Sequence, residues 1–171
     1  MKPICLRPYP VPKVHKSMLK KEVKRLVMLG SPEEENYPEW GAPSFAQPKA
    51  KTNRVRFLGD LQNLNRQLKC NPYQMPKICE MLLNLEGFKY ATLLNLSMGY
   101  YHIRFINHAS NMFTIILLWG KYHHKCLPMG VSNSPDILQE KMNEMLCGLE
   151  YIRVYIGDLL IVTKGDWYDC L

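Results

Sequence analysis

Residues 151–163 constrain this chain more than any other stretch. Tyr151-Ile152-Arg153-Val154 and Leu159-Leu160-Ile161-Val162 are apolar runs of strand length, and between them stands Tyr155-Ile156-Gly157-Asp158. Two such runs joined at a Gly-Asp pair predict a hairpin with a tight turn at Gly157-Asp158, because glycine accepts φ > 0 without steric cost. The turn would hold one carboxylate, Asp158, out at the hairpin tip.

The rest of the chain supplies both periodicities. Residues 1–13, through Arg7-Pro8-Tyr9-Pro10-Val11-Pro12, read as extended, because each proline fixes its own φ and disfavours the helical region for its predecessor. Met18, Leu19, Glu22, Val23, Leu26, Val27 and Leu29 recur at helical spacing over 14–29, with Gly30 as the stop and Pro32 beyond it. A connector rich in Pro, Gly and charge follows over 31–54, with strand-like pieces around Ala42-Pro43-Ser44-Phe45, and 55–59 reads as a strand. A helix is expected from Pro76 to Gly87, then strands at 90–96, 101–106 and 113–119, and a Gly120-Lys121 turn into 122–127. Over 134–149 the pattern is helical: Ser134 as cap, Pro135 at the first position, and Ile137, Leu138, Met142, Met145, Leu146 and Leu149 as the core stripe. Helices and strands interspersed in a mostly hairpin-connected order predict an α+β fold.

Charge narrows the partners. The 171 residues hold 22 Lys and Arg against 15 Asp and Glu, a formal net charge of +7. Lys2, Arg7, Lys13, Lys16, Lys20, Lys21, Lys24 and Arg25 face only Glu22 within the first 25 positions. A second block, Lys49, Lys51, Arg54, Arg56, Arg66 and Lys69, faces only Asp60. Two one-sided blocks point to a polyanion, most simply nucleic acid, with Lys20, Lys24, Arg25 and Arg54 as contact residues. The six cysteines form no C-x-x-C pair, which argues against a zinc site, and His123-His124 reads as part of a strand. No apolar run approaches a membrane span, and the basic, Pro-rich start is unlike a secretory signal. The cysteines are therefore expected to be reduced thiols of an intracellular protein, cytoplasmic or nuclear.

Four separated segments carry a resemblance. They are Arg56-Phe57-Leu58-Gly59-Asp60-Leu61-Gln62-Asn63-Leu64-Asn65, Leu94-Asn95-Leu96-Ser97-Met98-Gly99-Tyr100-Tyr101-His102-Ile103, Leu127-Pro128-Met129-Gly130-Val131-Ser132-Asn133-Ser134-Pro135 and Tyr155-Ile156-Gly157-Asp158. In this order and spacing they resemble the fingers and palm of reverse transcriptases, RNA-directed DNA polymerases, especially those of gypsy-type LTR retrotransposons. Arg7-Pro8-Tyr9 and Trp40-Gly41-Ala42-Pro43-Ser44 fit the same family, so the resemblance covers nearly the whole chain. It implies a palm with an antiparallel, ferredoxin-like sheet and helices on one face, plus a smaller fingers lobe. Fingers with the basic arm would occupy 1–75 and palm 76–171, with fingers strands interleaved around 105–130. No stretch resembles a thumb or ribonuclease H domain.

Roles carry over position by position as what the resemblance implies. The three metal-binding aspartates of the family fall on Asn95, Gly157 and Asp158, so only Asp158 keeps its carboxylate. Tyr100 matches the aromatic gate against the incoming sugar. Arg56, with Lys49 or Lys51 beside it, matches the clamp on the triphosphate of a dNTP. Gln139 and the Pro128-Met129-Gly130 turn match the wall that supports template and nucleotide. Nucleotidyl transfer needs two divalent ions about 3.5–4 Å apart, Mg2+ in the family, with Mn2+ as a substitute, and magnesium prefers carboxylate oxygens. An amide and a glycine replace two of the three carboxylates, so the expectation is a reverse-transcriptase-like domain that no longer catalyses. A non-catalytic nucleic-acid-binding or subunit-interaction module on the same fold is the alternative. A polymerase whose ions rest on Asp158, Asn95 and backbone carbonyls is the third reading.

Overall fold

A computed structural model describes residues 2–48, 55–69, 72–83, 85–166 and 168. The elements, in chain order, are α1 (Lys13–Met28), β1 (Pro32–Glu34), β2 (Ala42–Pro48), β3 (Val55–Gly59), α2 (Gln62–Asn65), α3 (Ile78–Leu83), β4 (Tyr90–Asn95), α4 (Asn107–Met112), β5 (Thr114–Leu117), β6 (Gly120–His124), α5 (Ser134–Met145), β7 (Ile152–Tyr155) and β8 (Asp158–Thr163). The fold is α+β. Contacts divide it into two units, Met1–Lys69 with Tyr100–Ser134, and Cys70–Gly99 with Pro135–Leu171.

The first unit is built on a five-stranded sheet in the order β1-β6-β5-β2-β3. All pairs are antiparallel except β2 with β5, where Ala42 and Pro43 run parallel to Ile115 and Ile116. Helix α1 packs on β1 and β3 through Leu19, Val23 and Leu26, all at most 2% exposed. It ends as the sequence predicts, at Gly30 with φ 73. The Gly30 amide donates to the Val27 carbonyl and the Ser31 amide to that of Leu26, which satisfies carbonyls the helix would leave open. Val27 and Leu29 are exposed instead of buried, so the apolar stripe is narrower than the periodicity suggests.

The amino-terminal arm is a strap. The Leu6 amide donates to the Gly41 carbonyl (2.8 Å), the Gly41 amide donates to that of Ile4 (2.9 Å), and the Tyr9 hydroxyl donates to Asp60 (2.6 Å). A side chain at position 41 would put a Cβ 2.3 Å from Ile116 Cδ1. Glycine there lets the strap lie against the sheet, which ties the Arg7-Pro8-Tyr9 segment to Trp40-Gly41-Ala42 in space.

Two expectations fail here. Residues 101–106 are not a strand: Gly99–His102 is a 3-10 turn, closed by the Ile103 amide on the Tyr100 carbonyl. Only the Arg104–Cys126 bridge follows, and then α4. Alternating apolar residues mimic a strand, yet the segment's bonds go to Lys125 and from Leu127 rather than into a ladder. The β5–β6 turn lies at Leu118-Trp119 instead of Gly120-Lys121, because Leu117 pairs with Gly120. Glycine at 120 serves packing, since a Cβ there would meet the Tyr122 ring at 3.0 Å.

The second unit has a three-stranded antiparallel sheet, β4-β8-β7. Helix α5 contributes Leu138 and Met142 to the core, whereas Met145 is 76% exposed and Leu149 is also exposed. The helix stops at Met145, short of residue 149, so those positions lie at or beyond its last turn. Ser134 is the first residue of α5, and its hydroxyl donates to the Pro128 carbonyl. Helix α3 is one short stretch that buries none of its residues.

Candidate functional site

The β4 and β8 strands bring the tip residues together. Asn95 is the register partner of Asp158, and Asp158 also pairs with Tyr155 across the hairpin. The turn therefore consists of Ile156 and Gly157, one residue earlier than the sequence suggests, and Asp158 is the first residue of β8. The positive φ falls on Ile156, at 56, not on Gly157. A β-branched residue in the left-handed region is strained, so something must hold it there.

Gln139 does so. This residue of α5 is fully buried. Its Oε1 accepts from the Ile156 amide (2.6 Å), and its Nε2 donates to the Val154 carbonyl (3.0 Å) and to Asn143 Oδ1 (2.9 Å). Asn143 in turn donates to the Tyr73 hydroxyl (2.8 Å). A buried amide left unpaired is costly, and here both ends of Gln139 are used on the hairpin and on α5. Its side chain thus supports the tip from inside and presents no polar atom to solvent. Tyr73 and Asn143 escape a reading by motif. The signal was the Gln139–Asn143 pair at i, i+4, each polar residue directly following a buried one, Leu138 and Met142.

At the tip, Asn95 Nδ2 donates to Asp158 Oδ1. An ionised carboxylate only accepts, so the amide must turn its NH2 group, not its carbonyl, toward Asp158. Gly157 adds no side chain, and its carbonyl accepts from the Leu96 amide (2.7 Å), which ties the turn to the end of β4. A Cβ at 157 would meet nothing closer than Leu96 Cβ at 3.9 Å and the Leu96 carbonyl oxygen at 4.0 Å. The place is open to a carboxylate that the chain lacks. Among the described residues no three His, Cys, Asp or Glu side chains gather into a group that could hold a metal ion.

The remaining candidates lie in the first unit. Arg56 is exposed on β3 between buried Val55 and Phe57, in register with Gln47. Lys49, Lys51 and Arg54 lie outside the described residues. Tyr100 is half-buried in the 3-10 turn, and burial raises its phenol pKa. Tyr101 is pushed further, to about 12, by burial first and by the nearby Glu22 second. Lys20 and Lys24 are exposed on α1, and Lys20 Nζ stands 5.3 Å from the centre of the Trp119 ring. Arg25 is held by Glu22 through two contacts, Nε to Oε2 at 2.9 Å and Nη2 to Oε1 at 2.6 Å.

No family model matches the chain. It is 28% identical over 175 residues to the retrovirus-related Pol polyprotein from transposon gypsy of Drosophila melanogaster, covering 96% of this chain and 16% of that protein. It is 26% identical over 169 residues to the corresponding polyprotein from transposon 297 of the same fly, covering 95% and 16%. The chain thus spans about a sixth of the length of these relatives. Among solved structures, the foamy viral protease-reverse transcriptase dRH in complex with double-stranded DNA superposes with a TM-score of 0.88 at 20% identity, covering 96% of this chain and 29% of that one. The foamy viral enzyme in complex with an RNA/DNA hybrid gives 0.87 at 20% identity, covering 96% and 22%. The fold is that of a reverse transcriptase, and the chain is a reverse-transcriptase-like region whose relatives are the Pol polyproteins of gypsy-type and other LTR retrotransposons.

Proposed function

We propose that this chain is the fingers and palm of an RNA-directed DNA polymerase fold, intracellular, that binds nucleic acid but does not extend a primer. The unit Met1–Lys69 with Tyr100–Ser134 is assigned to the fingers, and Cys70–Gly99 with Pro135–Leu171 to the palm. The observation that carries the reading is the Asn95–Asp158 hydrogen bond. Two divalent ions need bridging oxygens from both strands. Here one strand offers an amide whose NH2 already faces the other strand's carboxylate, and Gly157 offers none. The donor set does not fit a pair of Mg2+ or Mn2+ ions. Nucleic acid as partner is supported by the +7 charge and by solved relatives of this fold in complex with double-stranded DNA and an RNA/DNA hybrid. A dNTP would fall to Arg56 and Tyr100.

The test is primer extension on an RNA template with Mg2+ and with Mn2+, alongside a gel-shift of the same template-primer. Binding without extension is the expected result. Extension by the unaltered chain overturns the inactive reading, and no binding overturns the nucleic-acid one.

A second reading, a subunit-interaction module, has one observation of its own. Leu82, Leu83 and Leu93 in the second unit are 53%, 76% and 70% exposed, and Ile78, Met81, Leu82, Leu93 and Leu160 line a cleft of about 190 Å³ that also touches Asp158. Contiguous apolar surface of this kind suits protein contacts. A monomer by light scattering across a wide concentration range would count against self-association.

A further inference from the structure

We infer that a cleft between the β1–β2 connection and α4 binds the guanidinium of an arginine side chain carried by a partner polypeptide. The cleft lies wholly within the first unit, and the inference does not depend on the nucleic-acid reading above.

Charge along the chain singles this place out. In a protein of net charge +7, residues 26–48 hold no Lys or Arg, yet Glu33, Glu34, Glu35 and Glu39 all fall there. Glu33 is spent on Lys125, whereas Glu35 and Glu39 line the cleft. Glu35 is held in place: its Oε1 accepts from the Tyr37 amide (3.1 Å), and its Oε2 lies 3.7 Å from His123 Nδ1. Lys121, beside the same connection, donates to the Asn36 carbonyl (3.3 Å). Among the described residues neither Glu35 nor Glu39 has a Lys or Arg ion-pair partner. The two carboxylates thus stand ready for a cation from outside.

The walls select which cation. Trp40 is 8% exposed, whereas Tyr37, which also lines the cleft, is 92% exposed. A tyrosine ring left almost wholly in water beside two carboxylates offers its face to a positive charge. The volume, about 270 Å³, falls just below the range of roughly 300–1,000 Å³ that suits drug-sized ligands, and fits one long side chain. A planar guanidinium stacks on a ring and gives paired N–H bonds to a carboxylate, where an ammonium is a strongly hydrated point charge. Met112 of α4 gives the methylene stem an apolar wall. The Trp40 indole N–H has no hydrogen-bond partner among the described residues, and a peptide carbonyl beside the arginine would supply one. That donor favours a polypeptide over a free organic cation. A divalent metal fits less well, because among the described residues no three His, Cys, Asp or Glu side chains gather into a metal-holding group.

The test is an amide NMR titration of the full chain near neutral pH with acetyl-arginine methylamide. Acetyl-citrulline methylamide, its neutral isostere, acetyl-lysine methylamide and Mg2+ are the comparison arms. The arginine amide should shift the Trp40 indole resonance and the backbone amides of residues 35–40 saturably, and the citrulline amide and Mg2+ should not. Tyr37→Ala and Glu39→Gln, both at exposed positions, should each raise the dissociation constant about two- to fivefold, the size of one exposed cation–π contact or ion pair. Tyr37→Phe should keep parental affinity, and unmoved resonances outside the cleft guard against a loss of fold. Equal shifts with citrulline would show that charge is not read. The inference is also overturned by saturable shifts confined to other resonances, by none at all, or by both variants binding like the parent. Lysine amide binding as tightly as arginine would overturn the guanidinium assignment, and Mg2+ moving the same resonances would make the cleft a metal site instead.

Discussion

His124 sits on β6 with 2% of its surface exposed, its ring near those of Phe57 and Tyr101 at 6.3 and 6.5 Å between centres. Burial, with a smaller contribution from His123, lowers its pKa from 6.5 to about 4. Its Nδ1 has no hydrogen-bond partner among the described residues, so the neutral ring gains nothing to offset a buried charge. The sign follows from proton counting. Between pH 6.5 and about 4 the unfolded chain holds a proton at this position that the folded chain refuses, so stability is complete above about pH 6.5 and falls as pH drops. The loss approaches about 3 kcal/mol at pH 4, taking about 1.4 kcal/mol per pKa unit. Urea unfolding of His124→Phe should show a flatter decline between pH 6.5 and 4 than the parent. An unchanged decline would mean that other groups set the acid sensitivity.

The palm hairpin is an element whose existence was legible and whose mechanics were not. Apolar β-branched runs on both sides of a glycine predicted it, and β7 and β8 fall within the expected span. The turn shifted by one residue because the Gln139 amide, fifteen and seventeen positions away from its two hairpin partners, holds the Ile156 amide and the Val154 carbonyl. Local propensity cannot register a tertiary bond of that kind, and it gave glycine the positive φ that isoleucine takes. Residues 101–106 were misread for a related reason, since Tyr101, Ile103 and Phe105 alternate like a strand while their backbone is spent on a 3-10 turn. Pairing Asn95 with Asp158 was legible because each falls at the end of an apolar run in a recognisable motif. Tyr73 and Asn143 were not, lying outside every motif. The hairpin's dependence on Gln139 is testable. Gln139→Leu keeps volume but strands two backbone groups, one buried and one part-buried, so unfolding free energy should drop by about 2–6 kcal/mol, at about 1–3 per group. Gln139→Glu keeps an acceptor for the Ile156 amide but sets a buried carboxylate against the Val154 carbonyl, so it should lose at least as much at neutral pH and recover relative to the parent as the carboxyl protonates. No such recovery would show that packing, not the hydrogen bonds, holds the tip.

For the whole molecule, the question is whether a divalent ion is linked to folding. In the parent the single carboxylate, Asp158, is met by an internal donor, so its melting temperature should not depend on Mg2+. Asn95→Asp together with Gly157→Asp places three carboxylates around the tip. At 157 the backbone is not left-handed, and the nearest atoms stand 3.9 Å from a new Cβ, so the aspartate fits without strain. Without metal the three charges repel, since like charges disfavour one another's ionised form, and the double variant should melt below the parent in chelator. With Mg2+ at a hundred times its dissociation constant, binding to the folded state alone adds about 2.7 kcal/mol. For a chain of this length that is a rise of roughly 5–10 °C. Either single variant should gain much less, because one restored carboxylate leaves at least one ion short of a bridging oxygen. A large Mg2+-dependent rise in the parent would mean that Asp158 and Asn95 already hold an ion, and the inactive reading would be lost. No rise in the double variant would mean that the tip is not where a metal belongs in this fold. A rise confined to the double variant would place the difference between this chain and a metal-binding one in those two side chains.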